Sequence, residues 1–176
     1  RVKAILDKNS VDLSGRFFNA RIFLAKGDLD QATSLFQTLI KDEPQFAPAH
    51  YFLGVAYQRK RQPSQARGAF SEAVKFNPSM PEALTSLAEL LLEEGSLDLA
   101  LEHAQAAIQL NPRNVQAAVV AGDIYLRRRD LAKSKQVYEA IAKSLPREAL
   151  GPYRLGLVAR VEKNDIKALA YFEEAL

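Results

Sequence analysis

The side chains that could do chemistry are few and scattered. His50 and His103 are the only histidines in the 176 residues, and no cysteine accompanies them. Neither has a second histidine one turn further along, as the HExxH pairing of zinc hydrolases requires. No G-x-S-x-G elbow, P-loop or glycine-rich dinucleotide fingerprint occurs. Carboxylates come in pairs at Glu93-Glu94 and Glu173-Glu174, a pattern that solvated helix surfaces carry for solubility. Without cysteine there is no disulfide framework and no thiolate metal site. The expectation is a chain with no catalytic residues, no cofactor and no metal.

Charge narrows the partner class. The 24 Lys and Arg outnumber the 21 Asp and Glu by three, too small a surplus to single out nucleic acid. The basic groups do cluster, at Arg59-Lys60-Arg61 and again at Arg127-Arg128-Arg129, with Glu93-Glu94-Gly95 midway between them. One reading is a phosphate-binding patch. The other is pairing of opposite signs along one edge, with cations near helix C-termini. The interposed glutamates and the lack of a phosphate-cradling glycine loop favour the second. No apolar run has membrane-spanning length, so membrane insertion of this segment is not expected. Cytoplasmic and periplasmic settings both stay open.

The elements that position these groups are written as a repeat. Pro44, Pro78, Pro112 and Pro146 stand at equal intervals of thirty-four positions, and other residues follow the same beat. Ala20, Gly54, Ala88, Gly122 and Gly156 are all small, as are Ala32, Ala66, Ala100, Ser134 and Ala168. Phe36, Phe70, Ala104, Tyr138 and Phe172 are mostly large. Within residues 47–80, Leu53, Gly54 and Tyr57 share one helical face, while Ala66, Phe70 and Ala73 share another. Between them, Arg61-Gln62-Pro63-Ser64 supplies a turn, as do Gly27-Asp28 and Gly95-Ser96. The predicted unit is a helix of roughly 14 residues, a tight turn and a second similar helix. Small rungs let paired helices approach closely, and Gly54 is expected to face Ala66, with Gly122 facing Ser134.

This pattern resembles the tetratricopeptide repeat family. Residues 47–80 match its signature at Leu53, Gly54, Tyr57, Ala66, Phe70, Ala73 and Pro78. The frame gives full units at 13–46, 47–80, 81–114 and 115–148. An incomplete fifth unit covers 149–176, and residues 1–12 fit the second helix of a preceding unit. The family's tryptophan at unit position 4 is absent; Arg16, His50, Leu84, Ala118 and Pro152 stand there. Pro152 predicts a shifted entry to its helix, beginning near Gly151.

The resemblance implies an all-α fold, a right-handed superhelix with its concave side lined by the first helix of each unit. It further implies that the array holds a partner protein or peptide in that groove. The contact positions carry Phe17, Arg21, Tyr51, Phe52, Val55 and Arg59 in the first two units. Glu82, Ser86, Glu89 and Glu93 follow in the third, then Gln116, Val120, Asp123, Arg127, Tyr153 and Arg154. An aromatic end thus gives way to an acidic middle and a mixed basic end. The Phe17, Phe18, Tyr51 and Phe52 group reads either as anchors for a partner's apolar residues or as packing between helices. No frame supplies the lysines and asparagines with which chaperone-binding members clamp a C-terminal carboxylate. Nor does asparagine recur at unit position 6, as in arrays attached to sugar-transferring enzymes.

The alternative function is a structural scaffold that self-associates through its ends or convex face. Long bacterial members that serve secretion, pilus or polysaccharide assembly are similar in general style. Solenoid ends normally carry a polar cap. The opening at Arg1 and the apolar Leu6 and Ala175-Leu176 instead lead us to expect a longer parent and adhesive ends.

Overall fold

A computed structural model describes residues 13–176; the expected helix over 1–12 lies outside the described residues. Among the described residues ten helices follow one another: α1 (Leu13–Lys26), α2 (Leu29–Asp42), α3 (Ala47–Arg59), α4 (Pro63–Phe76), α5 (Pro81–Glu93), α6 (Leu97–Leu110), α7 (Val115–Arg127), α8 (Leu131–Ser144), α9 (Leu150–Val161) and α10 (Asp165–Glu174). No strand occurs among the described residues.

Local chemistry sets the helix ends. The residue at the tight turn takes a left-handed conformation each time: Gly27, Arg61, Gly95, Arg129 and Lys163, with φ between 58° and 82°. Glycine adopts that conformation without strain, whereas the arginines and the lysine do so at a cost of about 1 kcal/mol each. Side chains cap four helix starts. Asp28, Asn114, Asp130 and Asn164 accept from the backbone N–H three residues on, at 3.0–3.2 Å. Pro63 serves instead at the start of α4. Helix α9 begins at Leu150, one residue later in the repeat frame than α3, α5 and α7. Pro152 thereby falls in its first turn, where a missing N–H costs nothing.

The chain divides at Leu87 and Ala88 into two compact units. In the first, α1 packs on α2, α2 on α3, and α3 on α4. Its core centres on fully buried Phe36, which stacks on Phe52 at 6.0 Å and meets Phe17 edge-on at 6.2 Å. In the second, α6 packs on α7, α7 on α8, α8 on α9, and α9 on α10. Tyr138, Ile141, Leu155 and Val158 form its centre.

The small rungs answer to aromatic rings. A β-carbon on Gly54 would lie 2.5 Å from the Phe70 ring, on Gly122 2.6 Å from Tyr138, and on Gly156 2.4 Å from Phe172. In all three pairs the ring follows its glycine at the same interval along the chain. The side chain nearest a β-carbon at Gly54 is thus Phe70, and Ala66 is fully buried. Glycine on the first helix makes room for the large ring of the second. The Gly122–Ser134 approach does occur, as a hydrogen bond from Ser134 Oγ to the Gly122 carbonyl at 3.0 Å.

Candidate functional site

In the first unit most of the expected contact residues are tied into the scaffold. Phe17 meets Phe46 at 5.2 Å and Phe52 at 5.5 Å, besides Phe36. Tyr51 lies 5.1 Å from Phe52 and 5.7 Å from Phe70, and Val55 packs against the core. The Phe17, Tyr51 and Phe52 side chains are thus half-buried between helices. Phe18 is different, 55% exposed. Arg21 is exposed too, its guanidinium 4.8 Å above Phe52 and 5.7 Å from both Phe17 and Phe18, a cation resting on ring faces. Glu82 is exposed and Ser86 half-buried on α5.

Position 13 of the repeat has a structural task. Arg59 Nη1 donates to the carbonyl of Leu24 at 2.8 Å, and Arg127 Nη1 to that of Leu92 at 2.5 Å. Each arginine thereby gives a second donor to a carbonyl in the last turns of the first helix one unit earlier, which also accepts from the backbone N–H of Gly27 or Gly95. Their neighbours form ion pairs: Lys60 with Asp30 at 2.6 Å, and Arg128 with Asp98. Opposite signs do meet along the edge, but the partners are aspartates on second helices rather than the Glu93-Glu94 pair. Tyr57 and Tyr125 accept from Gln37 and Gln105 in the same two places. This set of contacts recurs at twice the repeat length.

In the second unit the residues come together. Glu89, Leu92 and Glu93 of α5, Gln116, Val119, Val120, Asp123 and Arg127 of α7, and Arg154 of α9 line one cleft of about 380 Å³. Gln116 Nε2 donates to Glu89 Oε1 at 2.7 Å. Asp123 Oδ1 accepts from Arg154 Nη1 and from the Tyr138 hydroxyl, both at 2.7 Å. Burial pushes the Glu89 carboxyl above its ordinary range, with Glu93 adding repulsion and the Gln116 bond opposing. Burial, then the Asp123 bond, pushes the Tyr138 phenol upward, so it remains a donor. Val120 is only 3% exposed and lines the floor of the cleft. Tyr153 stands apart from the cleft, 48% exposed and 5.8 Å from Phe172.

Tyr138 enters the sequence reading only as a large rung, because it lies on a second helix. Its signal was available: the steps from Asp123 to Tyr138 and from Asp123 to Arg154 join repeat positions that face one another. Among the described residues no group of three or more His, Asp or Glu is placed to hold a metal ion. No described helix is long and apolar enough to cross a membrane.

The tetratricopeptide repeat pattern matches residues 19–61, 56–115 and 91–151, three-quarters of the chain. The protein belongs to the tetratricopeptide repeat family. Curated relatives of this tetratricopeptide array include human protein O-mannosyl-transferase TMTC1, 24% identical over 149 residues, covering 82% of the array and 17% of that protein. Anaphase-promoting complex subunit 3 of Schizosaccharomyces pombe is 24% identical over 155 residues, covering 88% and 23%. The array spans less than a quarter of the length of either. Among solved structures, MamA from Desulfovibrio magneticus superposes with a TM-score of 0.84 at 19% identity, over 93% of each chain. YrrB, described as a tetratricopeptide protein with an unusual peptide-binding site, gives 0.82 at 20%, over 99% of the array and 90% of YrrB. These likenesses establish the fold.

Proposed function

We propose that the array is a non-catalytic protein-interaction module that holds an extended peptide or short helix against its first helices, within a longer scaffold protein. Its units are 13–46, 47–80, 81–114 and 115–148, with 149–176 an incomplete fifth. The observation that supports this most is the cleft in which α5, α7 and α9, three successive first helices, present Glu89, Glu93, Gln116, Asp123 and Arg154 together. Hydrogen-bonding groups on rigid helices, beside the apolar stems of Leu92 and Val119, suit a peptide whose backbone and side chains are both polar and apolar.

The test is crosslinked capture from cells of the source organism, followed by mass spectrometry, with Glu93→Lys beside the wild type. Glu93 is exposed and repels Glu89, so its reversal does not weaken the fold. Loss of a captured protein with an unchanged Tm supports the module; an identical capture profile refutes it.

A second reading, self-association, is favoured by α10. Ile166 is 87% and Leu169 59% exposed, a large apolar surface on one helix. Light scattering over a dilution series discriminates. Mass that falls on dilution, and falls further in Ile166→Lys with Leu169→Lys, supports it; a strict monomer at high concentration rules it out.

A further inference from the structure

The repeat leaves a hole in its fourth unit, away from the first-helix cleft. Unit position 4 is filled from within elsewhere: His50 is buried, its ring 5.2 Å from Phe76 and its Nε2 2.8 Å from the Pro44 carbonyl, and Leu84 is buried as well. In the fourth unit the residues at the places of His50 and Phe76 are Ala118 and Ser144. Both have shrunk together. Where they stand, a cavity of about 640 Å³ opens between α6, α7 and α8. Ile108, Val115, Val137, Ile141 and Leu145 wall it, and Arg113 stands at the rim. Among the described residues Arg113, which is exposed, is the only charged group on the lining and joins no salt bridge.

We infer that this cavity is a binding pocket for an aromatic side chain, tryptophan or phenylalanine, of a partner segment that carries a carboxylate beside it. The shape argument is internal to the protein. The cavity lacks the imidazole and the phenyl ring that occupy the equivalent place one pair of units earlier, so it takes a ring of that kind from outside. An apolar cleft of this volume with one polar group on its edge is the usual form of a side-chain or small-molecule site, and a ring seated in such a pocket is what anchors partner segments elsewhere. The charge argument is Arg113, whose guanidinium selects a carboxylate next to the ring. None of the lining residues belongs to the first-helix cleft, so the pocket stands or falls separately from the function proposed above.

The probe is N-acetyl-tryptophan, which carries an indole and a carboxylate, compared with its neutral amide. Methyl resonances of Val115, Val137 and Ile141 are followed in the full chain. The acid is expected to move these methyls at millimolar concentration, and to bind about threefold more tightly than the amide, as one exposed ion pair allows. Ala118→Leu, which restores the residue found at Leu84, fills the cavity and is expected to abolish the shifts. Arg113→Gln is expected to keep the shifts but equalise acid and amide. The inference is overturned if saturating N-acetyl-tryptophan leaves the three methyls unmoved, or if the shifts survive in folded Ala118→Leu. Should that variant fail to fold, Arg113→Gln decides: an acid preference that persists without Arg113 overturns the assignment.

Discussion

Arg127 reaches back 35 residues to the carbonyl of Leu92, its Nη1 donating at 2.5 Å, and Arg59 repeats the reach to Leu24. A groove position thus serves as a bolt between successive first helices. Charge-assisted hydrogen bonds contribute about 1.5–3 kcal/mol. Each of these carbonyls also accepts from a backbone N–H, that of Gly27 or Gly95, at 3.2 and 3.1 Å, and the arginines are exposed, so the contribution falls below that range. Arg59→Ala and Arg127→Ala are each expected to lower unfolding free energy by about 1 kcal/mol. Urea denaturation checks this, with Glu93→Lys, expected to be neutral, as the control.

Gly122 and Gly54 are closed to a larger residue. A methyl at either place would collide with the Tyr138 or Phe70 ring, at 2.6 and 2.5 Å. Overpacking of this kind costs about 1–3 kcal/mol. Gly54→Ala is expected to lose that much, and Gly54→Ala with Phe70→Leu to lose less than the two single changes added together. Additive losses in thermal unfolding would show that the ring is not what excludes the methyl.

Phe17 and Phe18 are neighbours with opposite roles. Phe17 touches the rings of Phe36, Phe46 and Phe52 within 6.2 Å, whereas Phe18 is largely in solvent. Phe17→Ala is expected to cost about 3 kcal/mol, and Phe18→Ala under about 0.5 kcal/mol. Equal losses in denaturant titration would contradict the assignment of Phe17 to the core.

Two groups give stability a pH dependence of opposite sign. The carboxyl of Glu89 is raised from its ordinary 4.5, chiefly by burial. Its folded form holds the proton more tightly, so stability present below pH 4.5 is lost as pH rises through the folded value. The imidazole of His103 is lowered from 6.5, chiefly by burial, against the pull of Glu102. Its contribution is present above pH 6.5 and lost as pH falls through the folded value. In the window between, Glu89→Gln should make the unfolding free energy rise more steeply with pH. His103→Gln should make it rise less. Denaturant melts at about pH 5 and about pH 7 check both signs.

How much of this was legible in the sequence follows from what repeats. The turn at Gly27 and Gly95, the proline ladder and the small rungs at Gly54 and Gly122 are set by residues within one unit, and the regular beat exposes them. The ring that each glycine admits falls on the same beat, although side-chain size alone pointed to Ala66. What the beat hides is what differs between units. Reading every first helix at fixed positions assigned Val120 and Arg127 to the contact surface. Both line the cleft, but those positions do not show that Val120 is buried or that Arg127 bonds to Leu92. The bolts at Arg59 and Arg127 recur only at twice the repeat length, and the pocket at Ala118 arises where two positions shrink in the same unit. Neither is visible in a one-unit alignment.

Photo-crosslinking tests the central claim most directly, with p-benzoylphenylalanine placed at Glu93 on the first-helix cleft and, separately, at Ser71, exposed on the second helix α4. In cells of the source organism, the account predicts a discrete protein adduct from position 93 and none from position 71. Adducts from position 71 alone, or none from position 93, would contradict it.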